Sequence, residues 1–108
     1  MGVLKFDGRE YDFTDRLLTH LQTAITGKLL RRESFAMSWG SLSTPVGLPT
    51  TLWVTPSASI EFFYASDHIE TINTSWVTAL EWSAHRAGGM QIMSEEAAGN
   101  FSISHPLD

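Results

Sequence analysis

The chain has 108 residues, no cysteine, 43% hydrophobic and 11% aromatic content, and a formal charge of −5. That length sets one domain with a modest core, and the missing thiols exclude a disulfide scaffold, a thiolate zinc site and cysteine nucleophiles. The charge is uneven: residues 1–32 carry six basic and four acidic side chains, residues 33–108 one basic and eight acidic, so most of the chain should repel a phosphate backbone.

Val3–Phe6 and Glu10–Phe13 flank Asp7-Gly8-Arg9, and Asp-Gly is a strong turn pair, so a β-hairpin is expected first. A helix should follow over about Thr14–Leu30. Thr14 suits the N-cap, Asp15 the positive helix end, and Leu17, Leu18, Leu21, Ala24, Ile25 and Leu29 form one apolar stripe. Lys28, Arg31 and Arg32 cluster at its negative end, either matching the dipole or forming a phosphate-contacting corner. Gly27 weakens the helix interior or admits a neighbouring strand.

Ser34–Trp39 reads as a strand with Phe35, Met37 and Trp39 on one face. Gly40–Pro49 is a Ser/Gly/Pro-rich loop, where a recognition role would most easily sit. Thr51–Thr55 is the next strand, with Leu52 and Val54 opposing Trp53, and Pro56 ends it. Ser59–Tyr64 places Ile60, Phe62 and Tyr64 opposite Glu61 and Phe63. The short Pro56–Ala58 link implies that these two strands are antiparallel neighbours.

Ala65–Thr71 is loop-like. A second helix is expected from the N-cap Asn73 to about Arg86, with Trp76, Val77, Leu80, Ala84 and Ala87 on its apolar stripe and Gly88-Gly89 as its end. Glu81 and His85 lie one turn apart and should pair on its exposed face. Met90–Met93 reads as a final strand. Residues 94–108 read as a loose polar tail, with Phe101 and Ile103 leaving a further short strand open, so the domain is placed at 1–93.

No stretch reaches the roughly 18 apolar residues of a membrane span, and charge begins at Lys5 with no long apolar run behind it. No signal peptide or membrane association is therefore expected, and the location is expected to be cytoplasmic. His20, His68, His85 and His105 lack metal-ligand spacing, and His20 and His85 are expected to face solvent. There is no Gly-x-Ser-x-Gly elbow, Walker A loop or dinucleotide fingerprint. No catalytic residue, metal site or cofactor is assigned.

Lys5-Phe6-Asp7-Gly8 contains Lys-x-Asp-Gly, which resembles the adenylated-lysine motif of ATP-dependent polynucleotide ligases. In that motif an arginine commonly follows two places after the glycine, where this chain has Glu10. A hairpin turn explains the same residues with less chemistry. Phe13–Trp39, Leu52–Ser57, Ile60–Tyr64, Asn73, Trp76 and Gly89-Met90 together resemble a family of short, uncharacterised actinobacterial proteins often labelled "ATP-dependent DNA ligase". The resemblance covers about residues 1–93. It implies a small cytoplasmic α+β domain and supplies no substrate. Gly47-Leu48-Pro49-Thr50 stands where the family usually has a Gly-Asp-Gly-Arg-like element.

The expected fold is α+β: a largely antiparallel sheet of five or six strands with two helices packed on one face. The expected core is Phe6, Leu17, Leu21, Ile25, Phe35, Met37, Leu52, Val54, Ile60, Phe62, Trp76, Leu80 and Ile92. The three middle strands carry apolar residues on both faces, and two helices cannot cover both. Trp53 and Phe63, with Trp39, are therefore the expected interaction residues of a non-enzymatic module that docks a protein partner or forms a homodimer. Covering Trp53 and Phe63 is worth roughly 3–6 kcal/mol before association costs. The competing structural reading folds the long loop or the tail over them. A second reading is a weak nucleic-acid-binding accessory protein using Lys28, Arg31, Arg32 and a stacking Trp53. A third is a small enzyme with an unrecognised pocket.

Overall fold

The computed structural model describes residues 2–40, 50–85 and 89–104, with side chains described as far as Asn100. The elements in chain order are β1 (Gly2–Phe6), β2 (Arg9–Phe13), α1 (Asp15–Leu30), β3 (Phe35–Trp39), β4 (Thr50–Val54), β5 (Ile60–Phe63), α2 (Thr74–Ser83), β6 (Met90–Gln91) and α3 (Glu95–Ser104). The class is α+β, with mainly antiparallel strands and two principal helices packed against them, as the sequence implies.

Local chemistry sets the first elements. Asp7 and Gly8 both have positive φ, 49° and 88°, and join Phe6 to Arg9 as a tight type I′ connection between β1 and β2. Thr14 caps α1, its side chain accepting the Leu17 N–H, and Asn73 caps α2, accepting from Ser75 and Trp76.

The strands form two three-stranded sheets rather than one. The first has the order β2-β1-β5 and is wholly antiparallel; the second has the order β4-β3-β6, with β3 and β6 parallel. The expected β4–β5 neighbours are thus in different sheets. Thr55–Ala58 closes a turn through the Ala58 N–H to the Thr55 carbonyl, and Pro56 within it can extend no ladder. The hairpin tip then captures the chain: Asp7 N–H donates to the Ser59 carbonyl at 2.9 Å and Asp7 Oδ1 accepts from Ser59 N–H at 3.3 Å, which delivers β5 to β1.

The inner faces of both sheets meet the helices in one core. Leu4, Leu18, Leu21, Ile25, Met37, Val54, Leu80 and Met90 are fully buried, and the expected core residues are all buried or packed against it. Trp39 joins the two sheets edge-on, its ring centroid 5.3 Å from those of both Tyr11 and Phe13 on β2. Gly27 lies under a side chain of α2 rather than beside a strand: a Cβ there would sit 2.8 Å from Glu81 Oε1.

Residues 94 onward do not begin as a loose tail or a strand. The Ser94 Oγ accepts the Ala97 N–H, Glu95 and Glu96 occupy the first turn of α3, and Ala98 is buried against α2. Capping chemistry outweighs the polar composition there. The expected second helix ends at Ser83 with Ala84 as C-cap; Gly89 has φ 80°, and the expected residues 86–88 lie outside the described ones.

Candidate functional site

Trp53 is the fourth of the five residues of β4, paired with Ala36 across the ladder, and is 64% exposed. On this outer face its neighbours are small. Ala36 lies beside it, and Gly89 packs so closely on Ala36 that a Cβ would fall 2.4 Å from the Ala36 carbonyl oxygen. Further along, Gln91 Nε2 donates to Ser38 Oγ at 2.8 Å. The result is an indole standing beside a low, uncharged shelf.

Phe63 is 49% exposed, but it belongs to the other sheet. It pairs with Val3, and the next row carries Lys5 between Glu61 on β5 and Glu10 on β2. A single apolar row bounded by charge is the ordinary outer face of a wetted sheet. Trp53 and Phe63 therefore do not form one continuous face. Trp39, the third expected interaction residue, is half-buried as the wedge between sheets. Lys5, the lysine of Lys-x-Asp-Gly, stands in that charged row, while Asp7 and Gly8 serve the turn. The Gly40–Pro49 loop, offered as the alternative cover for Trp53, lies at 41–49 outside the described residues.

The basic corner is largely spent within the fold. Lys28 is buried, with its Nζ 3.0 Å from Glu33 Oε1 and 3.5 Å from His85 Nε2. Arg31 contacts Glu33 Oε2 at 3.1 Å and Glu81 Oε1 at 3.7 Å. Glu81 thus turns to Arg31 rather than to His85. The Lys28 and Arg31 contacts hold the Glu33 carboxyl below its ordinary value. Arg32 is exposed, with φ 58°.

The cluster that sequence reasoning missed centres on His20, which is fully buried rather than solvent-facing. Its Nε2 accepts the Asn73 backbone N–H at 2.9 Å, so that nitrogen carries no proton, and Nδ1 donates to the Arg16 carbonyl at 2.7 Å. The ring stacks on Trp76 at 4.3 Å. Arg16 grips Glu95 with two bonds, 3.0 and 2.7 Å, and reaches Glu70 at 3.3 Å and the Thr71 carbonyl at 3.0 Å. Asn73 Nδ2 donates to the same Glu95 at 2.9 Å. The Arg16 guanidinium, with Asn73, lowers the Glu95 carboxyl to about 2, while Glu95 and Glu70 raise Arg16. This network ties α1, the 64–73 segment and α3 together.

Beside it, α1 and the 64–72 segment enclose an open cleft of about 390 Å³ lined by Thr19, Gln22, Tyr64, His68, Glu70 and Ile72 among others. Tyr64 donates to Gln22, and burial raises the phenol. Glu33 and Glu95, the described carboxylates with shifted acidity, are both lowered, the direction opposite to that of a neutral general acid. Among the described residues no cluster of His, Asp and Glu has the form of a metal site, and no helix is long and apolar enough to cross a membrane.

No curated protein and no solved structure matches the chain. Residues 1–95 match the model of a family described as a domain of unknown function (DUF7882), and the chain belongs to that family.

Proposed function

We propose that this protein is a non-enzymatic interaction module that self-associates or docks a protein partner through the outer face of its second sheet. The observation that carries this reading is Trp53, 64% exposed on the outer face of β4 and flanked by small uncharged residues. Large aromatics in such positions are typical interface anchors, and burying one indole contributes about 2–3 kcal/mol before association costs. Phe63, ringed by charge on the other sheet, belongs to a wetted face and plays no part in this contact.

The test is solution mass by light scattering for the native chain and Trp53→Ser, at concentrations up to a few hundred micromolar. The native chain should exceed monomer mass and the variant should fall to it. A monomer in both forms rejects self-association. The nucleic-acid alternative draws less support, because Lys28 and Arg31 are already engaged by carboxylates. It requires binding to a single-stranded oligonucleotide at low salt, where phosphate contacts are strongest.

A further inference from the structure

We propose that His20 is an acid-sensitive latch: a proton added to its buried Nε2 expels the Asn73 N–H and releases the end of the 64–73 segment and the first turn of α2, while the sheets stay closed. The latch is independent of the Trp53 reading and lies in a different part of the molecule.

The bonding of the ring leaves it one protonation state. Nδ1 donates to the Arg16 carbonyl at 2.7 Å, and Nε2 accepts the Asn73 N–H at 2.9 Å. A backbone N–H only donates, so it cannot turn to receive a proton from a charged ring. Imidazolium donates from both nitrogens, and two N–H groups would then face each other across 2.9 Å. The ring is fully buried and stacked on Trp76 at 4.3 Å, which leaves it little room to find another acceptor. Asn73 has to move instead.

Asn73 is the joint on which the neighbouring contacts depend. Its Oδ1 accepts the Ser75 and Trp76 N–H groups that open α2, and its Nδ2 donates to Glu95 at 2.9 Å. Displacing it loosens the start of α2 and one tie to α3 together. The proton comes from solvent, which reaches Nε2 only when Asn73 swings out, so acid captures an opening that is transient at neutral pH.

The surrounding charges do not override this geometry. The ring meets Arg16 from its own helix, Glu95 from α3 and Glu70 from the 64–73 segment. Arg16 holds Glu95 at 2.7 Å and Glu70 at 3.3 Å, so repulsion by the one offsets attraction by the others. Glu81, the one charge on α2, turns to Arg31, and Lys5, the one charge on β1, stands in the outer row of its sheet. His85 lies beside Lys28 at the other end of α1. His68 is 4.0 Å from Glu70, and charging it tightens that contact, the opposite sense from the latch.

The test follows amide exchange of the full chain from about pH 7 to 5, the range in which imidazole ordinarily charges, corrected for intrinsic exchange rates, in the native protein and in His20→Gln. Glutamine can accept the Asn73 N–H without titrating. Protection at Asn73, Ser75 and Trp76 should fall at least about tenfold in the native chain and less than about twofold in the variant, with the amides of β1 and β3 protected throughout. Equal loss in both proteins, unchanged protection in the native chain, or loss spread evenly over β1 and β3 overturns the latch. Should His20→Gln fail to fold, magnetic resonance of the native chain decides: the Asn73 amide and His20 ring signals should titrate together, and an Asn73 signal that ignores the charging of the ring overturns the proposal.

Discussion

His20 Nε2 accepts the backbone N–H of Asn73 at 2.9 Å, so a ring in the second turn of α1 holds the residue that caps α2. The same ring lies flat against Trp76 in the first turn of α2. One side chain therefore fixes both the position and the entry angle of the second helix. Replacing it with phenylalanine keeps the stacking but orphans the Asn73 N–H, while the Arg16 carbonyl loses its second donor and keeps its helical one. His20→Phe should lower stability by about 1–3 kcal/mol, seen as a fall in the urea midpoint at unchanged slope. A change below about 0.5 kcal/mol would show that water replaces both bonds and that the histidine is not a structural tie.

Glu95 makes acid stability the next readout. Its folded carboxyl sits at about 2 against an ordinary value of 4.5, so the folded state holds the charged form more strongly than the unfolded chain does. That contribution is fully present above about 4.5 and is lost as pH falls towards 2. Glu33, lowered by Lys28 and Arg31, acts in the same direction. Glu95→Gln should therefore be less stable than the native chain near neutrality, and the gap should close as the pH drops below 4.5. Thermal melts across that range measure it. A gap that stays constant with pH would mean that the Arg16 contact carries no charge dependence.

Much of this was legible in the sequence for local reasons. Asp7-Gly8 demanded a tight turn, Thr14 and Asn73 announced their caps, and alternation picked the inner faces of β3 and β4. The misplacements share a different cause, which is distance along the chain. Lys28 continues the buried stripe from Ala24, but its charge argued for solvent, and only the return of Glu33 and the arrival of His85 make burial tolerable. His20 faces inward because Asn73, far along the chain, brings it a donor. The division into two sheets is set by Asp7 capturing Ser59, a contact that no feature of Pro56–Ala58 announces. The isolation of Trp53 from Phe63 follows from that division.

The Lys28–Glu33 pair is asymmetric in burial, with side chains 4% and 38% exposed. Removing the carboxylate strands an ammonium inside the protein, whereas removing the ammonium leaves a carboxylate that water and Arg31 can still serve. Glu33→Ala should thus lower the melting temperature by several degrees, and Lys28→Met by clearly less. The reverse order would show that the Lys28 site is wetter than its packing implies.

Two glycines with similar backbone angles should respond very differently to alanine. Gly8 has φ 88° with nothing within 4 Å of an added Cβ, so Gly8→Ala meets only the left-handed backbone penalty of about 1–2 kcal/mol. Gly89 has φ 80°, and its added Cβ would lie 2.4 Å from the Ala36 carbonyl oxygen and 2.6 Å from the Ala36 Cβ. That methyl has no flexible neighbour to displace; it must push apart the approach of β6 to β3, the one parallel pairing in the second sheet. Gly89→Ala should cost about 3 kcal/mol or more. It should also speed amide exchange at Ile92, whose N–H donates to Ser38 across the same seam at 2.9 Å. Equal losses at the two positions would mean that β6 can slide away from β3 without disturbing the ladder, and the parallel pairing would then be a loose attachment rather than part of the cooperative sheet.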